Sequence, residues 1–488
     1  MQSILSEGDT CWRIRPAERL SVIVDAADFF RHARQAMMKA KRSIILIGWD
    51  FDTRIDLVPG KKEDEAPDKL GSFLNFLSDR NDDLDIRILK WDIGLLNSIT
   101  RGETPFYILS WMFSKKIQLK LDGAHPSLSA HHMKLLVIDD QLAFCGGIDM
   151  TVGRWDTSDH RENEAGRRSP MGFAQGPWHD ATTCLSGPAA LALAELARMR
   201  WKRATDEELK PIEGGTDCWP DDLDVDFRDI EIGIARTAPE YDERKQVVEI
   251  ETAKLAIIAA AQNTLYIESQ YFASRRIAEA IAERLKEQDG PEVVLINPDG
   301  AEGWLEAKAM DSARARLMKL VHEADVHDRF RIYYPVNDAR TPIYVHAKIM
   351  IADDRVLKLG SANLNNRSMG YDTECDVIIE AKPDQAIVSD KIIAHRNGLL
   401  AEHLGCSTED IEAEMRKPGS LVRAIEMLNS KTGRGLVTVP LRELSADEEL
   451  FAESDIADPE RPAGLRYRTS SYLKRHRPHF RKKHRSKT

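Results

Sequence analysis

Apolar positions along the chain follow first a helical and then a strand period, and the whole succession occurs twice. Residues 25–42 (DAADFFRHARQAMMKAKR) place Phe29, Phe30, Ala33, Ala36, Met37 and Ala40 on one helical face. The run SIILIGW at 43–49 follows, β-branched enough for a buried strand. Further strands are predicted at 84–89 (LDIRIL) and 117–121 (IQLKL), and HHMKLLVIDDQLAFCGGID reads as two short strands around a tight turn at 139–141. The second pass has the same order: a helix over 249–262, strands at 265–267, 293–296 and 330–334, then VHAKIMIADDRVLKLGSANL. Corresponding elements lie about 210 to 220 residues apart, the mark of an internal duplication. Helices alternating with apolar strands predict an α/β fold.

The 488-residue length suits two such halves. The boundaries follow as a first half over 1–213, an acidic linker over 214–235, a second half over 236–444, and a tail over 445–488 that is acidic and then strongly basic. The linker's Asp221, Asp222, Asp224 and Asp226 do not form a calcium loop. Counted from Asp222, the sixth position is Phe227 and the twelfth Gly233, where an EF-hand needs Gly and Glu.

Net charge is −11, but unevenly spread. From Arg466 through Thr488 there are ten Lys or Arg and no acid, leaving the body with 59 basic against 80 acidic residues. A basic arm on an acidic globule points to a polyanionic partner, membrane surface or nucleic acid. The six cysteines have no C-x-x-C pair or metal-ligand spacing and read as free thiols of a reducing compartment. No signal peptide is expected at the N-terminus and no apolar run spans a bilayer, so a cytoplasmic or membrane-peripheral protein is expected.

The pattern His-x-Lys-x4-Asp occurs in both halves, as His132, Lys134, Asp139 and as His346, Lys348, Asp353. Glycine follows each His at +14 (Gly146, Gly360), a small residue at +15 (Gly147, Ser361) and a polar one at +17 (Asp149, Asn363). On a strand, residues i and i+2 share a face, so each His projects with its Lys. A phosphodiester is anionic, and its transfer requires neutralisation of the phosphoryl oxygens, which two ammonium groups supply without a metal. An imidazole can attack phosphorus when neutral and donate a proton when charged, and two facing halves provide one His for each role. Asp139 and Asp353 complete the motif, but each lies at a turn start, where Asp caps the backbone for local reasons.

These residues resemble the phospholipase D superfamily, whose signature is this motif in two copies. The second copy fits through Gly360, Ser361, Asn363, Arg367 and Ser368. GGID and GRWD in the first copy, with PWHD (177–180), GPAA (187–190) and IESQYF (267–272), look like the eukaryotic-type branch. The resemblance covers roughly residues 10 to 405. It departs from the pattern at Ser269, where Asn is commoner, and at Asp149, which stands where the second copy has Asn363. Neither a eukaryotic-type lipid-binding domain before residue 10 nor a membrane-spanning extension is expected from the sequence.

The resemblance implies two α/β/α sandwiches with pseudo-twofold symmetry and an active site between them. It implies hydrolysis through a phosphohistidine, without metal or cofactor, with His132 as nucleophile and His346 as acid/base. His132, Lys134, Asp139, His346, Lys348 and Asp353 then form the catalytic set, with Lys134, Lys348 and Asn363 on phosphate. Asp149, Asp156, Ser361 and Glu374 are second-tier candidates, Glu374 and Asp156 as orienters of the two His. Trp155, Trp178, Tyr271 and Phe272 are expected in the core before a lipid pocket. The function implied is a phospholipase D that releases phosphatidate and a headgroup alcohol, phosphatidylcholine being the first substrate to test. The alternatives are a phosphatidyltransferase such as a cardiolipin synthase, a nuclease of the same superfamily, and a non-catalytic membrane scaffold. Partner expectations are a phospholipid surface contacted by the basic tail, no nucleic acid, and a monomer sufficient for the site.

Overall fold

A computed structural model describes residues 3–60, 64–92, 111, 114, 116–301, 304–417, 419–444 and 458. The basic tail lies outside the described residues. The first half contributes β1 (Arg13–Val24), α1 (Ala26–Lys39), β2 (Ser43–Gly48), α2 (Leu70–Arg80), β3 (Asp85–Trp91), β4 (Ile117–Asp122), β5 (Lys134–Ile138), β6 (Leu142–Gly146), β7 (Trp178–His179), β8 (Ala181–Ser186) and α3 (Pro188–Thr205). The second half runs β9 (Phe227–Ala238), β10 (Val247–Val248), α4 (Glu249–Ala260), β11 (Thr264–Glu268), α5 (Arg275–Lys286), β12 (Glu292–Ile296), α6 (Trp304–Ala324), β13 (Phe330–Val336), β14 (Tyr344–Val345), β15 (Ile349–Ala352), β16 (Val356–Gly360), α7 (Asn366–Gly370), β17 (Glu374–Glu380), α8 (Ala386–Leu404), α9 (Thr408–Met415), α10 (Leu421–Leu428) and β18 (Gly435–Thr438).

The strands join one sheet in the order β18-β13-β12-β11-β15-β16-β17-β9-β1-β8-β6-β5-β2-β3-β4, with β10 added beside β9. Read outward from the centre, β1-β8-β6-β5-β2-β3-β4 repeats as β9-β17-β16-β15-β11-β12-β13, which is the duplication in strand order. The expected pair of sandwiches is thus fused through the antiparallel β1–β9 pair, whose register runs from Arg13 opposite Ile234 to Leu20 opposite Phe227. This corrects the linker boundary: residues 227–235 lie in the central strand β9, and Cys218 and Trp219 before it are buried. Alternating Ile230, Ile232 and Ile234 bury on one face of the sheet, while acidic neighbours disguise the strand.

Side chains leave each strand on alternate faces. Ile45, Ile47, Leu135 and Val137 point to a core under α3 and α8 that runs beneath both halves. Ile44, Leu46, Leu136 and Ile138 point the other way, onto the apolar stripe of α1, where Phe29, Phe30, Ala33, Ala36, Met37 and Ala40 are all buried. Leu265, Ile267, Met350 and Ala352 do the same under α4 and α5. Each half therefore has helices on both faces of the sheet, and no helix among the described residues is long and apolar enough to cross a membrane. The six cysteines are free thiols, five of them buried.

Candidate active site

His132 and Lys134 stand at the entry to β5, and His346 and Lys348 at the entry to β15, at the seam between the halves. Each segment is clamped by backbone from the other half. His132 and Met133 both donate their N–H to the Thr373 carbonyl at 2.9 Å, and His346 donates to the His179 carbonyl at 2.7 Å. β14, just before His346, pairs with β7 of the first half, Tyr344 opposite Trp178. The result brings the two imidazoles together across the seam, ring centroids 6.4 Å apart and planes tilted by 56°. The space between the two rings is where a phosphoryl group could meet both imidazoles.

The orienting carboxylates are exchanged between halves. Nδ1 of His132 lies 3.0 Å from Oε2 of Glu374 and 3.1 Å from the Ser361 carbonyl. Nδ1 of His346 lies 2.6 Å from Oδ2 of Asp180. With Nδ1 engaged, Nε2 of each ring is the atom presented to a reacting phosphorus. Glu374 is fully buried and further accepts from the hydroxyls of Ser361 at 2.5 Å and Ser368 at 2.7 Å. Glu374 and Asp180 are symmetry equivalents. Gly146 pairs with Thr182 and Gly360 with Asp376, and each orienter lies two residues before that partner.

The expected orienter Asp156 is therefore corrected to Asp180. Asp156 accepts from Arg167 at 2.7 Å and from the Trp178 amide at 2.9 Å, and its Oδ2 meets His160 at 2.9 Å. Asp180 lies inside the PWHD segment; pairing the carboxylates at the start of the equivalent strands β8 and β17 would have found it. Glycine at +14 is required by close approach, since a Cβ at Gly360 would fall 2.1 Å from Asp376 Oδ1. A Cβ at Gly147 would fall 2.2 Å from Asp180 Oδ1.

Lys134 donates to the His132 carbonyl at 2.7 Å and pairs with Asp149 at 3.0 Å. The Asp149 carboxylate also receives the Trp49 amide at 2.9 Å, so it balances Lys134 rather than facing an anion. Lys348 donates to the His346 carbonyl, and no carboxylate among the described residues stands at ion-pair distance from it. Asn363 donates to Gln270 Oε1 at 3.3 Å, while its buried Oδ1 has no hydrogen-bond partner.

Asp139 and Asp353 sit five residues downstream of their Lys, about 16 Å along an extended strand. Asp139 accepts the amides of Lys41, Arg42 and Ser43, each at 2.8 Å. Asp353 accepts those of Gln262, Asn263 and Thr264 at 2.7, 2.8 and 2.8 Å. They cap the starts of β2 and β11 and take no part in the site's geometry, so membership of the catalytic set is corrected to a structural role. Of the aromatics, Tyr271 and Phe272 are buried and Trp155 packs at the edge of the core. Trp178 stacks on Tyr344 at 4.6 Å, lies 5.1 Å from the His346 ring and carries the Arg154 guanidinium over its other side at 4.0 Å. Arg154 and Gln270 lie inside the GRWD and IESQYF segments but are not singled out there, and Tyr344 has no distinguishing signal in the sequence.

Electrostatics follow from burial and from four cations at one seam. Burial pushes the His346 imidazole well below its ordinary value, reinforced by Lys348, Arg154, Lys134 and His132. Burial lowers Lys348 to about 7, with Asp180 opposing and Lys134 adding to the fall. Burial raises the Asp180 carboxyl against the pull of Lys348. For Glu374 burial works upward too, but the His132 charge and the hydrogen bonds from His132 and Ser361 prevail, and its carboxyl lies below the usual range.

Comparisons with known proteins agree with this geometry. A family model described as "Phospholipase D" matches residues 36–278, and one described as "Cardiolipin synthase, PLD-like domain" matches residues 255–395. Phospholipase D delta of Arabidopsis thaliana is 24% identical over 546 aligned residues, covering 76% of this chain and 62% of that protein. Phospholipase D A of Dictyostelium discoideum is 23% identical, covering 79% of this chain and 35% of its own length. The chain thus spans between about a third and two thirds of these relatives. The crystal structure of a phosphatidylserine synthase from Haemophilus influenzae Rd KW20 superposes with a TM-score of 0.53 at 14% identity, over 79% of this chain and 88% of that one. That likeness is one of fold. By the two matched family models and the shared run of relatives, this chain belongs to the phospholipase D superfamily.

Proposed function

We propose that the protein is a phospholipase D, cleaving the distal phosphodiester of a glycerophospholipid to phosphatidate and a headgroup alcohol. The observation that carries the reading is the pair of facing histidines, each held at Nδ1 by a carboxylate of the opposite half and flanked by its own lysine. Nε2 of one His attacks phosphorus and the P–O bond to the headgroup breaks. The other His gives its proton to the departing alkoxide, then takes a proton from water, which cleaves the P–N bond and regenerates the first His. Lys134, Lys348 and Asn363 hold the phosphoryl oxygens, and no metal enters the chemical step. If an alcohol replaces water, the same intermediate yields a transphosphatidylation product.

The role assignment is His132 as nucleophile and His346 as acid/base. One consideration favours the reverse: burial and the neighbouring Lys348, Arg154 and Lys134 disfavour the charged form of His346, and a nucleophile must be neutral. A denaturing quench at alkaline pH, where the P–N bond survives, during turnover on a short-chain lipid, followed by mapping of the phosphorylated His, separates the two. The proposed domain limits are 1–213 and 227–444, the second half starting with β9 (Phe227–Ala238). The basic segment 466–488 is proposed as the tether of an otherwise acidic, cytoplasmic body to anionic lipid.

The function test is headgroup release from phosphatidylcholine, phosphatidylethanolamine and phosphatidylglycerol vesicles by the full chain. Choline release abolished by His132→Ala supports the reading, and no release from any of the three overturns it. Metal-free plasmid cleavage without headgroup release would select the nuclease reading.

A further inference from the structure

Behind His346, on the side away from the facing imidazoles, Asp25, His160, His179 and Glu402 form a second buried cluster. Asp25 lies between β1 and α1, His160 in the loop before β7, His179 in β7, and Glu402 in α8 from the other half. The side chains of Asp25, His160 and His179 are no more than 1% exposed and that of Glu402 10%. The reaction proposed above makes no use of any of them.

Four ligand-type atoms converge on one point. His160 Nε2 is 3.0 Å from Glu402 Oε1 and 3.6 Å from Asp25 Oδ2. His179 Nδ1 is 2.8 Å from Glu402 Oε1 and 3.4 Å from Asp25 Oδ1. Tetrahedral ligands at about 2.05 Å from a metal are about 3.3 Å from one another, close to these separations. Asp25 Oδ2 and His179 Nδ1 are buried and find no well-aligned hydrogen-bond partner among the described residues, the latter despite its short approach to Glu402. Two buried polar atoms aimed at one point without hydrogen-bond alignment are what a shared ligand would satisfy.

The surroundings have the form of a metal site's outer layer. The distal nitrogen of each His meets a further carboxylate: His160 Nδ1 meets Asp156 Oδ2 at 2.9 Å, and His179 Nε2 meets Glu268 Oε2 at 2.8 Å. Such pairs fix the ring tautomer and raise the basicity of the ligating nitrogen. Asp156 is in turn bonded by Arg167 at 2.7 Å, and Glu268 by His403 at 3.0 Å.

We propose that Asp25, His160, His179 and Glu402 bind a divalent transition-metal ion of the zinc class, in a tetrahedral two-nitrogen, two-oxygen site. Two neutral imidazoles and two carboxylates balance a dication in this buried position, and soft sulfur ligands are absent from the set. The role is positional. His179 immediately precedes Asp180, which holds His346, and Asp180 also exchanges backbone contacts with Asp25: Asp25 N–H to the Asp180 carbonyl at 2.7 Å and Asp180 N–H to Asp25 Oδ1 at 3.2 Å. The ion would pin the segment that carries the His346 orienter and join α8 of the second half to it. This goes beyond the expectation that no metal is bound, while leaving the chemical step metal-free.

The test is elemental analysis of the full chain purified without chelators or an affinity metal. The expected result is one equivalent of zinc-class metal per chain. After removal by a chelator, Co2+ titration should restore one equivalent and give the intense visible bands of a tetrahedral cobalt centre. The melting midpoint of the stripped protein should fall by about 5 °C or more and return on reloading. His160→Gln and Glu402→Gln should each abolish the cobalt bands. A wild-type chain that is isolated metal-free, and takes up neither Zn2+ nor Co2+ saturably, overturns the proposal whether or not the variants fold. So does full metal retention in a folded His160→Gln protein. Because metal content and spectrum are read without substrate, failure here is separable from failure of the phospholipase reading.

Discussion

Replacing Glu374 by Gln removes one unit of charge from a buried position and one acceptor from the oxygen that His132 and Ser361 share. The amide can still accept from Ser368, which lies at 2.7 Å on the oxygen facing away from His132. What is lost is the carboxylate that faces a positive His132 imidazole at 3.0 Å during formation and breakdown of the phosphohistidine. Two unit charges at that separation attract by about 5 kcal/mol at an effective dielectric constant near 20. Only part of the imidazolium charge has developed at the transition state, so the loss is about 3 to 4 kcal/mol, or about 10²- to 10³-fold in kcat. The neutral ground state needs the carboxylate less, and KM should stay within about threefold. The assay is initial-rate headgroup release from a short-chain soluble phospholipid, alongside a thermal melt to show that the variant is folded. A folded Glu374→Gln protein whose kcat lies within about tenfold of wild type would refute the orienting role.

Asp139→Ala strands three backbone amides at the start of β2 and should cost about 3 kcal/mol in urea unfolding, leaving kcat of the folded fraction unchanged. A thousandfold loss of kcat would return Asp139 to the chemistry. Lys348, lowered to about 7 by burial, binds an anion only when charged. Apparent substrate affinity should therefore weaken as pH rises through about 7, and Lys348→Arg should flatten that dependence. A KM constant from pH 6 to 8 in the wild type would contradict the assignment.

The motif residues were legible because their spacing obeys strand geometry: His at i and Lys at i+2 must share a face, and the repeat in both halves removes coincidence. α1 and the paired strands β5 and β6 were legible for the same reason, their periods being local. What failed was non-local. β9 carries acids between its isoleucines and was taken into a linker, because its partner β1 lies more than 200 residues away and one sequence window cannot reveal the pairing. Asp156 in the GRWD segment is the orienter the sequence suggests, whereas Asp180 reaches His346 from the opposite half. Exchange of carboxylates across a pseudo-twofold axis leaves no short-range trace. The lone glycine rule at +14 was visible, yet its cause, a neighbouring strand too close for a Cβ, needed the sheet.

The antiparallel β1–β9 pair has a mechanical consequence. A hinge enzyme opens its cleft by rotating one domain on another, but here any such rotation would shear a ladder at the middle of a sheet shared by both halves. The separation of the two imidazoles is then a fixed dimension, like the gap of a rigid caliper. Substrate must be threaded into an aperture of constant width, and only the surrounding loops are left to move. Turnover in such a machine should respond weakly to solvent viscosity, because no large body has to swing through the solvent in each cycle.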